Sequence, residues 1–316
     1  ERDSGRDRRA GTMQWRLLRT GYNTGAWNMA VDEAVMAHVA RGVSPPTFRL
    51  YGWSPPALSL GRLQSFETNV DLGACARLGV DVVRRPTGGR AVLHDLEVTY
   101  SLIVGEGDPA LPAGLRESYR LATEGIMKGL KLLGVDCEIS GREAATASGD
   151  TRETGATEGT GHYRAGQSGA CFDSPSWYEV TSKGRKLVGS AQARLMGVFL
   201  QHGSVLIQLD AAKLCALLKF ESEEERASAI SHLSAHATSI SEILGRPVSF
   251  AEVEEAIVSG MRSHIAPIVL VEAELSPGEL SLAEDLISRK YASPDWTIGR
   301  QANYGERSLW RCPRLS

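Results

Sequence analysis

Four stretches of the 316-residue sequence set reactive side chains among small ones. The first is Arg84–Asp95, RRPTGGRAVLHD. Gly88 and Gly89 after Pro-Thr allow a turn that a ligand can approach closely. Arg84, Arg85 and Arg90 flank it, with Thr87 inside and His94 at the end of the next strand. Residue types alone weigh this evenly against a plain β-turn with solvated arginines. The second is Gly184–Arg194, GRKLVGSAQAR. A Lys183-Gly184 turn predicts a hairpin whose register sets Lys186 opposite Thr181. Lys186 then precedes the small run Gly189-Ser190-Ala191 and Gln192. A lysine desolvated beside small residues becomes useful as an acid or base, whereas a strand-edge lysine in water is the commoner case.

The third stretch is Ser168–Tyr178, SGACFDSPSWY. A strand cysteine is ordinarily a small buried residue. Cys171 instead precedes a turn-forming Phe-Asp-Ser-Pro, and it stands fifteen positions before Lys186. A cysteine near a cation favours thiolate at neutral pH. The fourth is Phe199–Ile207, FLQHGSVLI, where His202 and Gly203 interrupt an apolar strand. His202 could be a ligand or base; a hydrogen-bonded core histidine fits the pattern equally well. Cys75, Cys137 and Cys215 fall in or beside helical apolar patterns and read as core, and Cys312 reads as an inert tail residue. There is no GxxxxGK[ST] loop, no GxGxxG after a first strand, no HExxH and no GxSxG elbow, so the common nucleotide-binding and hydrolase templates lack support.

Elements must position these groups. Helices are predicted from about Ala26 to Ala40 (capped by Thr24 or Asn23 and ended by Gly42), over VDLGACARLG, and from Leu115 to about Leu133. Helical patterns fill Asp210–His264, with breaks near Leu233–Thr238 and Gly245–Pro247, and PGELSLAEDLISRKY reads as a last helix. Strands are predicted at WRLL, TFRLYGW, ALSLGR, DVVRR, RAVLHD, EVTYSLIV and IVLVEAEL, with a β-rich stretch over Ser168–Leu209. Strands in runs with helices between and after them predict an α+β fold: a mixed, largely antiparallel β-sheet flanked by helices. Residues 1–12 read as a disordered leader, 13–300 as one catalytic domain holding a flexible loop at 140–166, and 301–316 as a C-terminal tail.

Composition narrows the function classes. Hydrophobic residues make up 42% and the net charge is −3, so no global basic field exists to hold nucleic acid or an anionic membrane. No apolar run of about 18 residues is present, and the charged N-terminus is not a secretory signal. Five irregularly spaced cysteines without a CxxC pair argue against structural zinc and a disulfide framework, and no metal site is expected. The expectation is a cytoplasmic protein with free thiols.

Taken in order, NMAVDEAVM, FRLYGWSPPALSLGR, RRPTGGRAVLHD, GRKLVGSAQAR, FLQHGSVLI and RKYASPDWTIGR resemble the lipoate–biotin protein ligase superfamily from Trp15 to Arg300. SGACFDSPSWYEV resembles the cysteine-bearing segment of its LipM-type octanoyltransferases. The resemblance implies a biotin/lipoate protein ligase-like catalytic domain, whose RRxxGG turn and GSAQ hairpin build a pocket for a medium-chain acyl group. It also implies Lys186 at the reacting carbonyl and Cys171 as acyl acceptor. The implied donor is acyl carrier protein, and the acceptor is a lipoyl domain such as glycine-cleavage H protein. A thioester donor is already activated, so no ATP is expected. Only twenty residues follow Trp296, fewer than the accessory domain that ATP-dependent ligases commonly carry. The 140–166 stretch is longer and more polar than the family pattern. The rivals are an ATP-dependent lipoate–protein ligase, an amidotransferase moving octanoyl or lipoyl groups between lipoyl domains, and a non-catalytic lipoyl-domain binder.

Overall fold

The computed structural model describes residues 13–140 and 179–299. Within them run strands β1 (Gln14–Asn23), β2 (Thr47–Trp53), β3 (Ala57–Leu60), β4 (Asp81–Arg84), β5 (Val92–His94), β6 (Glu97–Gly105), β7 (Glu138–Ile139), β8 (Val180–Ser182), β9 (Arg185–Leu195), β10 (Val198–Leu206) and β11 (Val269–Ala273). The helices are α1 (Gly25–Ala40), α2 (Leu72–Arg77), α3 (Leu115–Leu132), α4 (Ala211–Ala216), α5 (Glu223–His236), α6 (Ile240–Leu244), α7 (Phe250–His264), α8 (Pro277–Leu286) and α9 (Pro294–Thr297). The expected last helix is instead α8 followed by a π-helical turn over Ile287–Tyr291.

Eight strands form one sheet in the order β11-β1-β2-β6-β10-β9-β8-β7. The β11–β1 and β1–β2 pairs are parallel and the other five antiparallel, so the α+β expectation holds. A second sheet, β4-β3-β5, has three strands. RAVLHD and EVTYSLIV are both strands, but β5 pairs only with β3 while β6 sits mid-sheet between β2 and β10. The short loop between them therefore carries the chain from one sheet to the other.

Strand alternation gives the large sheet two apolar faces. Phe48, Tyr100, Leu102 and Phe199 pack on Ile126 and Leu130 of α3 and Ile257 and Met261 of α7. On the other face Tyr51, Ile103 and Leu200 meet Val31, Ala34 and Val35 of α1, with Leu286 and Trp296 beyond. The small sheet has its own core, where Leu58, Leu60 and Val92 pack with Cys75, Leu214 and Leu233. α1 is thus enclosed nearly all round. Its start is capped by Thr24, which accepts from the Trp27 N–H, and Gly42 follows its end at φ 67°.

The β8–β9 hairpin turns at Lys183 and Gly184, both with positive φ, and Thr181 lies opposite Lys186 as expected. Cys75, Cys137 and Cys215 are buried. Burial pushes the Cys75 and Cys137 thiols up to about 11, which suits packing and not nucleophilic attack. Among the described residues no helix is long and apolar enough to cross a membrane. The leader, the tail, Cys312, residues 141–166 of the expected loop and Cys171 lie outside the described residues.

Candidate active site

A cavity lies where the two sheets meet. Counting the open solvent at its mouth, the space between its walls is about 450 Å³. Arg85 and Gly89 wall it from the turn, His94 from β5, Gly189, Ser190 and Ala191 from β9, and His202 and Gly203 from β10. Eight residues expected from three of the four stretches therefore meet at one place, and the stretch holding Cys171 lies outside the described residues. Met29, Tyr51, Trp53, Ser59, Val92, Thr99 and Ser204 complete the wall and were not foreseen. Isolated apolar and hydroxyl residues carry no signal in sequence beyond the strand or helix they occupy.

Each wall histidine is held by a buried carboxylate. His94 Nδ1 lies 2.7 Å from Glu97 Oε1, Nε2 lies 2.7 Å from Ser59 Oγ, and the ring stacks on Trp53 at 4.1 Å. His202 Nε2 lies 2.6 Å from Thr87 Oγ1, and Nδ1 lies 3.5 Å from Asp32 Oδ2. Burial lowers the His202 pKa, partly offset by Asp32, so the ring is neutral near pH 7. Burial alone would raise Asp32. Arg49 at 2.6 Å and the hydrogen bonds from His202 and Arg49 outweigh that and hold it below the usual carboxylate range. Tyr51 and Ser101 also donate to Asp32, which is fully buried on α1.

Several expected contacts fall elsewhere. Arg84 is fully buried and does not face the cavity. Its guanidinium donates to the carbonyls of Gly61, Arg62, Gln64, Trp296 and Thr297, while the Trp296 indole donates to Arg84 O. Five carbonyls from two segments far apart in sequence need a planar donor fork, and this ties α9 to the small sheet. Arg85 donates to Ser59, Gly88 O and Arg90 O, which shapes the turn from within. Thr87 stands behind the wall, orienting His202. Gly88 has ordinary φ, and a Cβ there would meet nothing within 4 Å, so the close approach expected of both glycines belongs to Gly89 alone, at φ 95°. Arg90 and Gln192 are not part of the wall.

Lys186 stands outside the wall, three positions before Gly189 on β9. It is 1% exposed. Its Nζ lies 2.6 Å from Glu179 Oε1, so the lysine expected beside small residues is buried with a counter-charge. Glu179 was not foreseen, because nothing local distinguishes it from a solvated strand-end carboxylate. Among the described residues no group of three or more His, Cys, Asp or Glu is placed to hold a metal ion.

The fold is similar to that of lipoate protein ligases of known structure. The fold superposes on a bipartite lipoate protein ligase from Thermoplasma acidophilum with TM-score 0.71 and 23% identity, covering 93% of this chain and 99% of that one. It superposes on lipoate-protein ligase A bound with ATP with TM-score 0.68 and 24% identity, covering 92% and 100%. At this identity the likeness concerns the fold alone.

Residues 24–262 match the lipoyl protein ligase A/B catalytic domain, and the chain belongs to that family. Its relatives include octanoyltransferase LipM of Kyrpidia tusciae, 46% identical over 286 residues, covering 89% of this chain and 97% of the relative. Those of Geobacillus kaustophilus and Bacillus subtilis are 41% and 38% identical, each covering 90% of this chain and 98% of the relative.

Proposed function

We propose that this chain is an octanoyltransferase of lipoate biosynthesis that takes octanoate from acyl carrier protein onto Cys171 and passes it to a lysine amine of a lipoyl domain. The observation that carries this is the set of relatives named octanoyltransferase, matched over nearly their whole length. The cavity is in keeping with it: Met29, Tyr51, Trp53 and Val92 offer apolar surface to a hydrocarbon chain.

The chemistry balances without a nucleotide. Cys171 Sγ attacks the thioester carbonyl, a new C–S bond forms, and the bond to the carrier's thiol breaks. The proton lost by Cys171 leaves on that thiol. One thioester replaces another, so this step is close to neutral. The acceptor amine then attacks the enzyme thioester, a C–N bond forms, the C–S bond to Cys171 breaks, and the amine proton restores the Cys171 thiol. The amide product makes this step downhill. The sequence of steps is covalent, ping-pong catalysis. Lys186 stabilises the thiolate and relays protons between it and the leaving or entering group. Backbone N–H groups of the small-residue run in β9 would stabilise the tetrahedral oxyanion.

The test uses purified protein, octanoyl-acyl carrier protein and apo glycine-cleavage H protein without ATP, followed by intact mass. The expected result is one octanoyl group on the acceptor and a hydroxylamine-labile octanoyl-enzyme. Both are lost in Cys171→Ala, and free octanoate or lipoate with Mg-ATP gives no product. ATP-dependent lipoylation by a fully active Cys171→Ala protein would move the chain to the ligase branch. Preference for an octanoylated lipoyl domain as donor would make it an amidotransferase.

A further inference from the structure

The Glu179–Lys186 pair is sealed from water, with both side chains 2% exposed. Glu179 directly precedes β8, and Thr181 pairs with Lys186 across the hairpin turn. The Lys186 backbone is fixed from its other side as well. Its carbonyl accepts from the Thr238 N–H at 2.9 Å, and it bridges Ala237 at the end of α5. Arg185 reinforces this by donating to Ala237 O and pairing with Glu242. The hairpin thus has abundant backbone support without an ion pair.

A buried ion pair seldom stabilises a fold more than apolar side chains of the same volume would. One that survives on a strand already held from both sides therefore calls for another use. A lysine side chain has four rotatable bonds and a point charge, so it has no fixed direction of its own. A carboxylate 2.6 Å from Nζ supplies that direction. We propose that Glu179 is a positioning residue: it holds the Lys186 ammonium at one point beside the reacting thioester and acts on octanoyl transfer only through Lys186. This rests on the role assigned to Lys186 above. Positional precision is valuable there, because misplacing a catalytic group by about 1 Å can cost about 10²-fold in rate.

Glu179→Asp keeps the charge, shortens the arm and should fold. Its kcat for octanoyl transfer should fall about tenfold with the KM for octanoyl-acyl carrier protein unchanged. Glu179→Gln should fall further, about 10²-fold. Adding Glu179→Gln to Lys186→Gln should cost nothing more, because a residue acting only through another loses its effect when that other is gone. Wild-type kcat in Glu179→Asp, or independent losses that multiply in the double variant, overturns the proposal. So does a rise in KM with kcat intact. Full transfer by Lys186→Ala removes instead the role of Lys186, and the proposal with it.

Discussion

Gly88 and Gly89 are neighbours with different physical duties. A Cβ at Gly89 would need φ 95° and would sit 2.8 Å from Arg85 Nη2. A Cβ at Gly88 meets open space. Gly89→Ala should therefore displace Arg85 and lower kcat/KM for octanoyl transfer by about tenfold or more, as small misplacements in a site do. Gly88→Ala should transfer octanoate at close to the wild-type rate. Equal effects of the two substitutions would mean that the turn acts as a unit. Gly61 belongs to the same contact, since its own Cβ would lie 2.0 Å from Gly89 O. The turn was legible from its Pro-Thr-Gly-Gly composition. Which glycine needs to be glycine was not, because that depends on Gly61 and Arg85 arriving from elsewhere.

At the scale of elements, α3 and α7 pack against each other through Gly125, Gly129 and Gly260. A Cβ on Gly260 would meet Gly129 N at 2.2 Å and Gly125 O at 2.3 Å, which are rigid backbone atoms. Gly260→Ala must separate the helices and should destabilise the protein by about 1–3 kcal/mol, the usual cost of overpacking. The check is the urea midpoint, and an unchanged midpoint would show that the helices slide apart freely. Both helices were expected from their apolar spacing, Leu121, Ile126 and Leu130 among it. Their crossing was not, because a glycine inside a helix reads only as a weak former.

For the whole molecule, burial of the His202 ring between α1 and β10 makes stability depend on pH, because the Asp32 contact offsets only part of the desolvation. The His202 pKa is lowered in the folded protein, so below about pH 6.5 the unfolded chain binds a proton that the folded chain resists. Stability is then present above that pH and lost as pH falls through it. His264, whose pKa burial also lowers, has the same sign. His202→Asn should consequently show a shallower loss of urea stability from pH 7 to 5 than the wild type. Identical slopes would assign the whole effect to His264 and the carboxylates. Glu279, held at about 2 by Arg16 and its helix cap against burial, contributes only at lower pH, as pH falls below the ordinary carboxylate range.

The sequence by itself determined the local facts: helix limits near Thr24 and Gly42, the Lys183-Gly184 hairpin with its register, the α+β class, and eight of the fifteen residues around the cavity. Periodicity, capping and turn chemistry act over a few residues, so these need no partner from afar. Only tertiary structure decided what each polar group faces. Arg84 proved to be a clamp on Trp296 and Thr297, more than 200 positions away, and no local pattern encodes that distance. The switch of β5 and β6 into different sheets was likewise invisible, since a strand's own sequence does not name its neighbour. Glu179 became the partner of Lys186, and Asp32 of His202, only when burial removed water as the alternative partner for each charge.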